Sequence, residues 1–356
     1  SVKADHLITI DRNKPLAEEP GIGHNRWHPD IKPTAEVDPG MIVGIQTRDA
    51  FDGQFHADST IADVLDCDLG LVHPLTGPVY VNGAEPGDLL EVDILEVTPE
   101  PAGFTCQVPG FGFLRDVFTE PHIVRWKIDN NFATSDDLPG VRIPGAPFMG
   151  VIGTAPSHEL LETINRREAA LLERGGVVLL PDAAGAVPTG GNLDIKQLTA
   201  GTTLRIPVYV PGALFSVGDA HFAQGDNESC GTAVEMAATF YGSFRVLKGE
   251  AKKRGIRDVQ FYREDYFTSP EMAVPKRFFA TTGQSVTRDG VAHSEDTTLA
   301  ARNALLNMID YLVAERGFTP QQAYAICSVA VDLKISEMVD VPNFVVSAFL
   351  PLDIFV

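Results

Sequence analysis

The chain has 356 residues, 44% hydrophobic and 21% charged, enough to bury a sizeable core in one large domain or two ordinary ones. Its 28 Lys and Arg stand against 48 Asp and Glu, and the resulting net charge of −20 repels phosphate backbones and excludes nucleic acid as a natural partner. No apolar run approaches the ~20 residues that cross a membrane, and four scattered cysteines make no disulfide framework, so the expected compartment is the cytoplasm.

In chain order, residues 37–97 read as strands punctuated by Pro-Gly and Asp-Gly turns. Residues 89–95 alternate apolar and acidic side chains, which predicts a half-buried strand. Further strands are expected at 148–152, 176–180 and 203–210, a helix at 157–174, and a Pro/Gly-rich loop at 185–191. The basic cluster at 251–257 reads as a solvated surface face. Helices dominate late. Leu305, Ile309, Leu312 and Val313 share one face of a helix over 298–316 that Gly317 ends, and Thr319, Pro320 and Gln322 form the start of another. A strand at 344–350 follows. The expected architecture is mainly β with an α+β C-terminal part, divided approximately at 1–200 and 201–356. Regular alternation of strand and long helix is absent, which disfavours a doubly wound parallel sheet.

The densest polar cluster follows an apolar run and holds Asp219, His221, Asp226 and Glu228 between Gly218 and Gly231. In an extended chain Asp219 and His221 share a face, as do Asp226 and Glu228. Carboxylates with an imidazole suit a divalent ion, zinc being the expected one, and a further carboxylate suits proton transfer. A polar turn is the bland alternative. A second cluster, His24, Asn25, Arg26, His28 and Asp30, suits substrate binding, a subunit contact or a salt-bridged loop, and Pro29 argues against a helical metal pair. A third, after Gly190 and Gly191, offers Asn192 and Asp194 for amide recognition, for a metal or for an Asx turn. Glu85 sits in a turn before a strand and could reach a site. Cys230 has no neighbouring His or Lys in sequence to activate it and reads as a core residue. His73, His122, His158 and His293 stand isolated.

These motifs, in this order, resemble the acetamidase/formamidase family: residues 24–30, Gly77-Pro78, residues 83–88, 148–153, 190–194 and above all 212–228. The resemblance covers roughly residues 5–356, and the 24–30 segment looks more like the formamidase branch. It implies a β-sandwich-like fold with an additional mixed domain, hydrolysis of formamide or a similar small amide, and a divalent metal; a homo-oligomer is a separate expectation. Cyclic amides such as a γ-lactam are a further substrate that the resemblance implies. Within it, the expected metal ligands are Asp194, Asp219 and His221, the catalytic carboxylates are Glu228 and Asp226, and Asn25, His28, Asn192 and Glu85 contact substrate. Asn227 stands where the family usually has Gly, and a left-handed turn is expected there.

Overall fold

A computed structural model describes residues 2–129, 131–174, 189–265 and 277–356. The main sheet has fifteen strands. Its central path runs through Gly190–Asn192, Phe148–Gly153, Phe215–His221, Glu235–Leu247, Leu89–Gln107 and His122–Asp129, each neighbour antiparallel. Leu75–Val81 also pairs with Phe215–His221, and Val43–Thr47 with Glu235–Leu247. Bulges shift the register of Glu235–Leu247 against its 19-residue partner between Met236 and Ala238 and between Tyr241 and Gly242, where a ladder this long must bend.

The C-terminal part is α+β, as expected. Its three-stranded antiparallel sheet runs Phe278–Gln284, Val345–Pro351, Asp332–Glu337. The helix Thr297–Arg316 starts on an Asp296 cap and ends at Gly317 in the left-handed region; the helix Pro320–Ala330 starts on the Thr319–Gln322 capping box. Leu305, Met308 and Leu312 of the first helix join the same core as Phe215 and Phe240 of the main sheet. Strand pairs also cross residue 200, with Phe148–Gly153 beside Phe215–His221 and Leu89–Gln107 beside both Thr203–Pro207 and Glu235–Leu247. Among the described residues no helix is long and apolar enough to span a membrane.

Two sequence expectations need revision. The strand over 89–95 is not half-exposed: Leu89, Leu90 and Val92 are buried, and Glu91, on the acidic face, is only 4% exposed because Arg205 and Arg245 cover it. The loop expected at 185–191 ends instead in the strand Gly190–Asn192, where Gly190 lies so close to Ile152 that a Cβ would sit 2.4 Å from its carbonyl oxygen. The strand expected at 176–180 and positions 185–188 of that loop lie outside the described residues. The basic cluster is the surface helix Glu250–Arg254 and its flank, in line with the solvated-face reading.

Candidate metal and amide site

The apolar strand Phe215–His221 carries Asp219 and His221 into the interior, where both are buried. Asp219 Oδ1 lies 3.0 Å from His221 Nε2. They meet as the sequence suggests but for a different local reason. Asp219 has a φ of 55°, so a left-handed residue, and not plain strand alternation, turns its carboxylate toward the imidazole. Asp194 repeats the device with a φ of 49°: after the short strand Gly190–Asn192, the N–H groups of Leu193 and Asp194 both donate to the Gly150 carbonyl, at 3.0 and 3.1 Å. Gly150 is the floor of this arrangement. A Cβ there would fall 2.5 Å from Asp194 Oδ1 and 2.7 Å from Asp219 Oδ2.

Glu228 arrives from the turn after Gly225, with a φ of 47° and its Oε1 3.9 Å from His221 Nε2. Glu235, at the start of the strand Glu235–Leu247, comes closest: its Oε2 is 2.8 Å from His221 Nε2 and also accepts from the Ala233 N–H at 2.9 Å. His73 Nε2 lies 3.7 Å from Asp219 Oδ2. The ring of Phe148 packs edge-on against His221, centroids 5.1 Å apart. On the far side of the imidazole, Nδ1 is 2.9 Å from Gln224 Oε1.

Among the described residues no Lys or Arg forms an ion pair with any of these four carboxylates, and this sets their electrostatics. Burial, reinforced by the charge of Asp219, pushes Asp194 up to about 7. Burial and then the Asp194 charge hold Glu228 well above the usual carboxylate range, and burial raises Asp219 against the opposing pull of His221. Burial works against a charged His221, but Glu235 and Asp219 outweigh it and raise the imidazole well above its ordinary value. A buried, carboxylate-ringed nitrogen of this kind calls for a cation. The ligand atoms of Asp194, His221 and Glu228 lie within 4.8 Å of one another, as do those of Asp219, His221 and Glu235, and oxygen with imidazole donors is a fitting set for a divalent ion such as zinc.

The other sequence candidates scatter. With its amide nitrogen turned to Asp194, Asn192 donates to both carboxylate oxygens at 3.0 and 3.3 Å, so it sits at the centre's edge. Asp226 does not share a face with Glu228, because the segment is a turn and not extended. Its carboxylate accepts from Gln197 Nε2 at 3.1 Å and lies 4.0 Å from Lys196 Nζ, outside the cluster. Asn25 donates to the Gly70 carbonyl at 3.1 Å. His28 is exposed, its Nδ1 accepting from the Asp30 N–H and its ring against His158, and Glu85 is exposed in its turn, its N–H donating to Asp88. The structure thus brings none of Asn25, His28 and Glu85 to the carboxylates. The left-handed residue expected at Asn227 is Glu228, while Asn227 donates to the carbonyls of Cys327 and Val331 at the end of a helix. Cys230 is fully buried, burial raises its thiol, and it donates to the Thr232 carbonyl, in keeping with a core residue.

Two members escaped the sequence reading. Glu235 stands alone among Ala233, Val234 and Met236, and an acid inside so apolar a strand was the available signal. His73 gave none, because only the tertiary fold brings it to Asp219.

Comparison with known proteins shows the family. A profile of the acetamidase/formamidase family matches residues 9–356. The formamidase of Methylophilus methylotrophus is 36% identical, with 98% of this chain and 93% of that protein covered. The acetamidase of Mycolicibacterium smegmatis is also 36% identical, over 90% of this chain and 88% of that one. Among solved structures, a γ-lactamase from Delftia acidovorans superposes with a TM-score of 0.91 at 35% identity, covering 98% of this chain and 93% of the other.

Proposed function

We propose, for a chain that belongs to the acetamidase/formamidase family, that hydrolysis of a short linear amide to carboxylate and ammonia takes place at the buried His221 centre with the help of a divalent ion. One observation carries the placement: three carboxylates, Asp219, Glu228 and Glu235, lie within 4 Å of His221 Nε2, and Asp194 joins His221 and Glu228 in the same cluster, with no Lys or Arg paired to any of the four among the described residues. Asp194, Asp219 and His221 would hold the ion, with Glu235 as a further donor, and zinc fits this set. When bound, such an ion polarises an amide carbonyl and makes a water nucleophilic near neutral pH.

The protein's own residues account for the remaining chemistry. Glu228 is the outermost of the three carboxylates within 4 Å of His221 Nε2, and its raised affinity for protons suits it to take one from the attacking water and deliver it to the leaving nitrogen. The C–N bond then breaks with ammonia, and not an amide anion, as leaving group. Gly150 keeps the floor open for two carboxylates, and Asn192 and His73 orient Asp194 and Asp219. Asn25 bonds the Gly70 carbonyl and His28 and Glu85 are exposed, so selection among small amides is assigned to residues in contact with the centre.

A cyclic amide is the second reading. It rests on the superposition with the Delftia γ-lactamase, against a TM-score of 0.58 for an acetamidase from Bacillus halodurans. Ammonia release from formamide, acetamide and propionamide, alongside ring opening of a γ-lactam, separates the two. Activity is expected to vanish on dialysis against chelator and return with added zinc. Full activity after chelation would overturn the metal reading, and a clear preference for long-chain or charged amides would overturn the small-substrate reading. His221→Ala is expected to lose the metal itself.

The same reading places the protein in the cytoplasm as a homo-oligomer. Free cysteines suit the compartment, and exposed Ile335, Met338, Val339 and Val341 suit a subunit contact that light scattering would test.

A further inference from the structure

We infer that Gln224 is a positioning residue that decides which nitrogen of His221 faces the carboxylates and couples that choice to the Asp194 loop. The inference rests in part on the metal reading above, but its first step does not. Gln224 is 6% exposed and both ends of its amide are engaged: Nε2 lies 2.8 Å from the Asp194 carbonyl oxygen and Oε1 2.9 Å from His221 Nδ1. A peptide carbonyl can only accept, so the nitrogen of Gln224 must be the end that faces it. The amide oxygen is thereby left toward His221, and an amide oxygen can only accept as well. His221 Nδ1 therefore carries the hydrogen.

The consequence falls on the other nitrogen. With Nδ1 protonated, a neutral His221 presents a bare lone pair at Nε2. That lone pair would face Glu235 Oε2 at 2.8 Å and Asp219 Oδ1 at 3.0 Å, acceptor against acceptor. With both carboxylates ionised, Nε2 must then hold a cation, either a proton or a metal ion. Gln224 thus commits His221 to ligation through Nε2 and makes Nδ1 the outward donor, the arrangement by which a hydrogen-bonded partner fixes a metal-binding imidazole.

The backbone around Gln224 cannot easily shift. Ala223 O accepts from Val234 N–H at 3.1 Å and Gly225 N–H donates to Ser328 O at 2.9 Å. Gly225 packs so closely that a Cβ would lie 2.2 Å from Val331 O. The bond from Gln224 to the Asp194 carbonyl gives the same side chain a hold on the residue that reaches the centre from another loop.

The test uses the full chain with nitrogen-15-labelled histidine, first treated with chelator and then titrated with Zn²⁺. Gln224→Met keeps the length of the side chain and removes both hydrogen bonds. Gln224→Glu keeps the acceptor toward His221 and removes the donor toward Asp194. The methionine variant is expected to lose the hydrogen-bonded Nδ1–H signal of His221 and to bind Zn²⁺ about 10–100-fold more weakly. The glutamate variant is expected to retain the Nδ1–H signal and recover most of the affinity. A methionine variant with an unchanged Nδ1–H signal and wild-type Zn²⁺ affinity overturns the inference. If that variant does not fold, loss of the Nδ1–H signal in Gln224→Glu overturns it instead. A wild-type chain that binds no divalent ion, but whose His221 signal still responds to Gln224→Met, sinks the metal reading and leaves the assignment of Gln224 standing.

Discussion

Two groups of acidic side chains in the main sheet received opposite treatment. On the strand Leu89–Gln107, Glu91 lies between Arg205 and Arg245, 2.8 and 3.2 Å away, Asp93 pairs with Arg245, and nearby Asp88 takes Lys248 at 2.5 Å. Although burial opposes it, hydrogen bonds from those cations hold Asp88 and Glu91 below their ordinary proton affinities. Around His221, Asp194, Asp219 and Glu228 have no Lys or Arg paired to them among the described residues, and burial raises all three. The first group serves the fold. The second costs the fold stability, and residues that do so persist where chemistry needs them. Backbone conformation marks the same division. Asp194, Asp219 and Glu228 all lie in the left-handed region, where a side chain of this size costs on the order of 1–2 kcal/mol.

The largest effect that would break or sharpen this contrast is on turnover. Glu228→Gln is expected to bind metal as the wild type does and to lose about 10²–10⁴ in kcat, the range for a general acid–base group. Metal content and ammonia release, measured on the same preparation, check it; a fully active variant would remove Glu228 from its role.

Next comes Glu91→Gln, which should do the reverse. It leaves two guanidinium groups without their buried partner, and because Arg205 and Arg245 are themselves partly exposed the expected loss of stability is about 2 kcal/mol, with kcat unchanged. Denaturant unfolding measures the loss. The pH sign follows from the lowered proton affinity of Glu91. Its contribution is complete above the unfolded carboxylate range, roughly pH 4–5, and disappears as the pH falls through the lower folded value. The acid limb of the stability curve should therefore be shallower in Glu91→Gln than in the wild type.

How much of this was legible in the sequence depends on the range of the interaction. Local devices could be read from adjacent residues: the Thr319 cap, Gly317 at a helix end, the strand at 148–152, and the cluster holding Asp219, His221 and Glu228. What depends on distant partners could not. The alternation of residues 89–95 does not say that Arg205 and Arg245 will cover its acidic face. Nor does the spacing of Asp226 and Glu228 say that a turn will separate them, or the isolation of His73 that the fold will bring it to Asp219. The family resemblance supplied the activity where spacing alone supplied only donors.

A smaller effect, opposite in sign to that of Glu91→Gln, is expected inside the centre. Asp194→Gly removes a half-buried carboxylate from beside Asp219 and places glycine at a φ of 49°, where it carries no steric penalty. The chelator-treated variant is expected to be more stable than chelator-treated wild type by about 1 kcal/mol, the scale of the left-handed penalty alone. It should also bind zinc more weakly. Thermal unfolding of both proteins in chelator decides the point, and a destabilised variant would mean that Asp194 is held by more than its metal role.

The smallest effect belongs to Asp226, which the sequence could not distinguish from Glu228. Its carboxylate engages Gln197 and lies near Lys196, and Asp332 caps its own N–H at 3.0 Å. Those contacts join the loop after Asp194 to the strand Asp332–Glu337 at a partly exposed position. Asp226→Asn keeps an acceptor for Gln197 and gives up only a half-solvated charge opposite Lys196. Exposed pairs of this kind are worth roughly 0–1 kcal/mol, so stability should fall by no more than that and kcat by less than about threefold. The comparison with Glu228→Gln is then a close one: two acidic residues two positions apart, each changed to its amide, with the turn pointing them to different surroundings. A loss in Asp226→Asn as large as in Glu228→Gln would mean that Asp226 reaches the reacting atoms during turnover, and the boundary drawn here between the structural and chemical carboxylates would have to move outward to include it.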